Sequence, residues 1–592
     1  MAINATKDDE ELKESIKIEV VKRLMKYLLS YVREITVVVI LIVICVGIGI
    51  AYPLIIQRIL DVEIVNKDIP GMVKMVLFAM GLAVVNLAAS VIWRKIMAGV
   101  SNDVVFNIRR SLYEHIQNLS IEFFDSRPAG KILARVTGDV NNLKDVLTST
   151  VTQLVPELLT LITVLVVMIT VSPTLSLSAA ISIPIIVVGV YFCELIAERR
   201  WQILRQKDSN FTAFVHENLS GMGVIQSFCA EEEAGAEMGD IVDDHRLAFR
   251  SAVRMADLFS PTIEVSYGVG AFVLYYLAIK YLNFEASSIG TLTAFAMYLG
   301  MFFGPIRNLA NFYNKLVTNM SSAERVFEIL DTKPLVKDEE GAVDMPKLKG
   351  RVEFRNVSFG YPDEPNKMIL KDVNFSVNPG ETIALVGPTG AGKTTIISLI
   401  SRFYNCTSGC VMIDGSDISK VKIKSLRSQL GIMTQDNYLF SGTIKDNLRY
   451  GKQDATDEEL IAAAKTVHAH DFIMELENGY DTEITERGGG LSAGQRQLIA
   501  FARTLVQNPE ILILDEATSN IDTKTEILVQ QDTEEMLQNR TAFVVAHRLS
   551  TIRNADRIFV IDEGGILEQG SHEELMNRKG AYYGLYESMA VS

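Results

Sequence analysis

The chain has 592 residues, more than one ordinary domain holds, and 48% of them are hydrophobic. A formal net charge of −15 argues against a nucleic-acid-binding protein, which needs a basic face to meet phosphate backbones. The strongly apolar runs lie before about residue 315, and the remainder is mixed and charged like a globular domain.

The first 34 residues are charged and lack the apolar core of a cleavable signal. Within them Val20, Val21, Leu24, Met25, Leu28 and Val32 recur at helical spacing, interleaved with Lys22, Arg23, Lys26 and Arg33. That pattern predicts a helix lying in the membrane interface. Ile35 to Ile56 carries no charge, and its 22 residues at about 1.5 Å each match a hydrocarbon core of about 30 Å. Met75 to Trp93, Leu154 to Val171, Thr174 to Ala197, Thr262 to Leu282 and Ile289 to Ile306 complete a set of six spans. Ser172-Pro173 reads as a tight hairpin between the third and fourth.

Lysine and arginine crowd the N-terminal segment and the stretch after Trp93, whereas Ser172-Pro173 and Asn283 to Gly290 have none. Both termini are therefore expected in the cytoplasm, with Arg58, Lys67 and Lys74 in the first loop a weak exception. About 60 residues separate spans two and three, and about 64 separate four and five. Structureless loops of that length are improbable in a compact protein, so the membrane helices are expected to run on into the cytoplasm. Glu157 and Glu264 lie in or near apolar runs, toward the cytoplasmic side. Each reads either as an interfacial carboxylate reaching water or as a cavity group favouring cationic substrates. Cys45, Cys193, Cys229, Cys406 and Cys410 show no CxxC spacing and read as reduced thiols.

Ser321 to Phe327 reads as a last helix, and residues 331–348, with Pro334, Gly341 and Pro346, as a linker. The boundaries expected are an N-terminal segment 1–34, a membrane domain 35–320, a linker 321–348 and an α/β domain 349–592. The strongest signal is Gly387-Pro388-Thr389-Gly390-Ala391-Gly392-Lys393-Thr394-Thr395, between the apolar strand Thr382 to Val386 and the helical run Ile396 to Leu399. Glycines let backbone N–H groups close around phosphate oxygens, and the head of the following helix faces the same anion. Lys393 would reach the β- and γ-phosphates, and Thr394 would offer its hydroxyl to Mg²⁺. Ile511 to Leu514 predicts a buried strand ending in Asp515, suited to hold Mg²⁺ through water, and Glu516, suited to polarise the attacking water.

Between these lies Leu491-Ser492-Ala493-Gly494-Gln495-Arg496-Gln497. With it the chain resembles an ATP-binding cassette (ABC) transporter of the exporter type, whose signature ordinarily has glycine where Ala493 stands. The Ser492 hydroxyl, the Gly494 N–H and the helix dipole can all meet an anion. The resemblance implies that this anion is the γ-phosphate of ATP held by the other subunit, with Gln495 beside it. It also implies adenine stacking for Tyr361, sensing of Mg²⁺ and water for Gln435, and γ-phosphate contact for His547. Ser519-Asn520-Ile521-Asp522 would be the loop between subunits, with Asp522 at the nucleotide. Phe123-Phe124-Asp125 through Gly130, Arg135 to Asp139 and Glu217 to Gly221 resemble the cytoplasmic loops of exporters. Their short helices, near Leu112 to Ile121 and Asn210 to Leu219, would press into the ATPase domains.

The expected protein is thus an α-helical membrane domain of six long transmembrane helices joined to an α/β P-loop nucleotide-binding domain. It would use ATP and Mg²⁺ to export amphipathic small molecules or lipids across a bacterial plasma membrane. Ala493 and the departure of Ser519 to Asp522 from the more common Ser-Ala-Leu-Asp favour an unlike second subunit over a homodimer. Retention of Glu516 makes this chain the donor of the catalytic carboxylate. An importer on the exporter fold and an ATP-gated channel are the alternative readings.

Overall fold

A computed structural model describes residues 18–281, 289–364, 367–433, 438–515, 532, 535–546 and 549–591. The chain divides into two compact units, Met1–Ile116 with Gly130–Asp331, and Gln117–Ala129 with Thr332–Ser592.

The first unit is helical. Apolar residues without charge need all backbone groups bonded internally, which the α-helix supplies. Each expected span falls on such a helix: Val32–Arg58, Ile69–Gln117, Val155–Val171, Pro173–Ser220, Phe259–Tyr281 and Ile289–Asp331. Leu282, the end of the fifth expected span, lies outside the described residues. Among the described residues six helical stretches are long and apolar enough to cross a membrane, so this is a multi-pass membrane unit. The helix Ile69–Gln117 has 49 residues, about 73 Å at 1.5 Å per residue, far more than a bilayer core requires. Only Ser172, extended at ψ 105°, separates the third and fourth spans, and its hydroxyl accepts from the Leu175 N–H at the head of the next helix.

Inside the unit Val164, Met168, Leu175, Phe295, Leu299 and Phe302 pack together, and the Tyr298 hydroxyl donates to the Ile50 carbonyl at 2.8 Å. The buried Ser178 and Ser182 hydroxyls donate to carbonyls one turn back, which lets polar side chains sit in a membrane helix. Leu77, Val84, Leu87 and Phe272 stand exposed on the outside, as a lipid-facing surface requires.

Three expectations shift. Helix Ile289–Asp331 is continuous, so residues 321–331, placed by sequence at the head of a linker, are about three further turns of the sixth span. Residues 112–117 belong to the long helix, and the short helix of the first connection is Ile121–Asp125. Asn210 to Leu219 likewise belongs to Pro173–Ser220, and the separate short helix is Met222–Ser227. Periodicity continues unchanged through these points; Ser120 and Gly221 break it. The N-terminal amphipathic helix is Ile18–Leu28, with Leu24 and Leu28 buried. Its Arg23 pairs with Asp331 at 2.6 Å and lies over the Phe327 ring.

The second unit contains β1 Val352–Phe359, β2 Leu370–Val377, β3 Thr382–Val386, β4 Ser408–Ile413, β5 Ser416–Asp417 and β6 Leu430–Met433. The remaining strands are β7 Gly442–Thr443, β8 Glu483–Ile484, β9 Ile511–Asp515, β10 Thr541–Val545, β11 Arg557–Asp562 and β12 Gly565–Gly570. One sheet runs β12-β11-β3-β10-β9-β6, parallel except for β12. An antiparallel sheet runs β2-β1-β4-β5. Phe354 stacks on Phe375, which meets Phe559 of the other sheet, so the two share a core. Near-continuous apolar strands such as β9 and β10 are what a parallel sheet covered on both faces demands.

Candidate nucleotide site

The parallel register sets the site. Val545 pairs with Leu385 and with Asp515, and Leu514 pairs with Met433. The carboxyl ends of β3, β10, β9 and β6 therefore share one edge, where open α/β sheets bind ligands. From β3 the chain enters the phosphate loop. Gly387 has φ 149° and a Cβ there would strike the Ile561 carbonyl; Gly392 has φ 109° and leads into helix Lys393–Ile400. Pro388, Thr389 and Gly390 are exposed on the loop, and Ala391 is buried with its N–H on the Pro388 carbonyl at 3.2 Å.

Lys393 is buried, and its Nζ donates to the carbonyls of Gly387 and Pro388 at 2.9 Å each, so the ammonium points back into the loop. Burial pushes that ammonium below its ordinary value, and the Asp515 carboxylate opposes the shift. Thr394 is exposed while Thr395 is buried. Asp515 ends β9, with Leu514 buried behind it.

Ser492 caps helix Ala493–Val506. Its Oγ accepts from the Gln495 N–H at 3.2 Å, and Gln495 Oε1 accepts from the Ser492 N–H at 2.9 Å. Ala493 is the first helical residue and Gly494 is buried. Tyr361 is half-buried: its hydroxyl shares a hydrogen bond with Thr395 Oγ1 at 3.1 Å, and its ring meets Phe359 and Tyr404 edge-on.

Gln435, Glu516, Asp522 and His547 lie outside the described residues. Glu157 accepts from Asn308 Nδ2 at 2.6 Å, joining the third and sixth spans. Glu264 is exposed on helix Phe259–Tyr281. Sequence reasoning missed Tyr404, buried beside Tyr361, whose hydroxyl donates to Asp125 at 2.7 Å. No periodic or motif signal joins residues so far apart in sequence.

Residues 35–306 match the model of the ABC transporter transmembrane region, and residues 370–519 match that of the ABC transporter family. The chain is 40% identical to the ABC transporter ATP-binding protein YknV of Bacillus subtilis, over 96% of this chain and 94% of that one. It is 36% identical to an ATP-dependent lipid A-core flippase of Syntrophus aciditrophicus, over 83% of this chain and 81% of that one. A solved bacterial Atm1-family ABC exporter with ATP bound superposes with a TM-score of 0.75 at 28% identity, covering 94% of this chain and 98% of that one. With its membrane helices, its nucleotide-binding domain and these relatives, the chain belongs to the ATP-binding cassette transporters, as an exporter-type half-transporter that couples ATP hydrolysis to transport across a membrane.

Proposed function

We propose that this chain is one subunit of a dimeric exporter, paired by preference with an unlike half-transporter, that moves amphipathic small molecules or lipids out of a bacterial cell. Both termini face the cytoplasm in this reading, supported by the basic flanks of the spans. The name of the lipid A-core flippase among the relatives supports a lipid-like cargo. Glu157, held by Asn308, and Glu264 are the carboxylates through which a cationic cargo would be favoured.

The carrying observation is the phosphate loop: positive-φ glycines turn its backbone while Lys393 Nζ points into it. There the N–H groups and Lys393 bind the triphosphate, and Tyr361 stacks on adenine. The exposed Thr394 hydroxyl and the Asp515 carboxylate fit Mg²⁺, a hard cation that takes oxygen ligands and keeps waters. Held there by Thr394 and Asp515, Mg²⁺ would supply charge neutralisation at the phosphates. Glu516 polarises the attacking water, Gln435 orients it, and His547 holds the γ-phosphate. Ser492, Ala493, Gly494, Gln495 and Asp522 of one subunit close on the nucleotide held by the other, and that closure turns the cavity outward.

Glu516→Gln tests this reading. Loss of general-base assistance is expected to lower turnover by about 10²-fold or more. ATP affinity should stay near wild type. Near-normal hydrolysis, with a co-purified partner identified and shown to have no competent site, would refute the role.

A further inference from the structure

We propose that Arg496 is a positioning residue that locks the Leu491–Ser492 peptide, so that the Ser492 hydroxyl is held in place to donate to the γ-phosphate of the nucleotide on the other subunit. The proposal rests on the phosphate role given to Ser492 above.

The peptide joining Leu491 to Ser492 is gripped at both of its polar ends by side chains of helix Ala493–Val506. Gln495 Oε1 accepts from the Ser492 N–H at 2.9 Å, and the Arg496 guanidinium donates to the Leu491 carbonyl at 2.7 Å. The first bond belongs to the cap of the helix; the second does not. The Ser492 carbonyl enters the helix ladder by accepting from the Arg496 N–H at 3.0 Å, so the Leu491 carbonyl stands one residue outside it. Arg496 supplies from its side chain the bond that the ladder does not. A donor that carries charge makes this one of the stronger kinds.

The Leu491 side chain is buried in the core beside the signature helix, so the peptide is anchored from that direction as well. With its plane fixed, Ser492 is set at φ −66° and ψ 162°, and the direction of its side chain is set with it. Ser492 Oγ accepts from the Gln495 N–H, which leaves the hydroxyl proton to donate outward. A donor oriented before the phosphate arrives need not be ordered when the subunits close.

The neighbourhood is shaped around the arginine. Gly488 is buried at φ 73°, and a Cβ there would stand 2.7 Å from Arg496 Cδ and 3.0 Å from Cγ. The half-buried stem therefore crosses the loop where any side chain would displace it. That loop closes on itself: the Gly488 N–H donates to the Thr485 carbonyl at 3.0 Å, and the Leu491 N–H to the Gly488 carbonyl at 3.1 Å. No acid stands in the first turn of the helix, and Arg496 is its fourth residue. A cation so near the helix head opposes the macrodipole, and an arriving phosphate reverses the sign of that interaction.

The test uses the full transporter with its co-purified partner in lipid nanodiscs. It follows release of a labelled non-hydrolysable ATP analogue and of labelled ADP after dilution into unlabelled nucleotide. ADP lacks the γ-phosphate, so its release does not report on Ser492. Arg496→Met keeps a long stem and removes the donor. It is expected to speed release of the ATP analogue by about tenfold while ADP release stays near wild type. Release of both nucleotides speeded alike would mark a merely structural role and overturn the proposal. Because Arg496 acts through Ser492, the effects of Arg496→Met and Ser492→Ala should not multiply in the double variant; rates that do multiply also overturn it. Ser492→Ala separates the two claims. Unchanged release of the ATP analogue there removes the phosphate role of Ser492 and the positioning role with it. Faster release in Ser492→Ala beside an unaffected Arg496→Met overturns the positioning role alone.

Discussion

Ser492 and Gln495 exchange two hydrogen bonds at the head of helix Ala493–Val506, and this determines what the methyl of Ala493 costs. Ala493 is the first helical residue, a conformation alanine prefers to glycine by roughly 1 kcal/mol. Ala493→Gly is therefore expected to change ATPase activity by less than about twofold and to lower the melting temperature slightly. A large gain in hydrolysis would show instead that the methyl obstructs the nucleotide. His468 offers a pH test in the same domain. Its Nδ1 lies 2.5 Å from Oδ1 of the fully buried Asp532, and that bond, more than any other cause, raises the imidazole above its ordinary value. A raised folded-state value stabilises the domain below the unfolded histidine value of about 6.5. The contribution is lost as pH rises through the folded value. The melting temperature of the full chain should fall over that rise, and His468→Gln should remove the step. Glu157 shows what sequence leaves open at this scale: an acid in an apolar run says nothing of Asn308, 151 residues away.

At the scale of elements, the segment after the sixth helix is fastened along the ATPase unit rather than hanging free. Val343 bridges to Val421, the Met345 N–H donates to Ser425 Oγ, and the Leu348 N–H donates to Gln429 Oε1. Arg402, almost wholly buried, holds the start of this seam. Its guanidinium donates to the carbonyls of Val421, Ser419 and Lys337, with the Asp338 carboxylate 3.7 Å away. Arg402→Met leaves the carbonyls of Val421, Ser419 and Lys337 without this donor, the first of them on a buried residue, and is expected to destabilise the unit by about 2 kcal/mol. Faster hydrogen exchange across residues 337–348 would accompany the loss; an unchanged melting temperature would contradict it. Proline and glycine made this stretch legible as a connection. Its partners lie about 80 residues onward, so its attachment was not legible.

For the whole molecule, the sequence by itself determined the six apolar spans, the phosphate loop between strand and helix, and the capped signature helix. Each is written in neighbouring residues: an unbroken apolar run, glycines at fixed spacing, a serine three residues before a glutamine. The helix read over Ser321 to Phe327 is continuous with the sixth span as far as Asp331, and that continuity was hidden because periodicity does not announce where a helix leaves the membrane. Only the tertiary structure decided which groups meet across long separations. The register of β3, β10, β9 and β6 brings four strand ends to one edge. Folding brings Tyr404 to Asp125 across 279 residues and Arg325 to Asp139 across 186. Such pairs depend on distance and direction in space, whereas a linear pattern records only spacing along the chain.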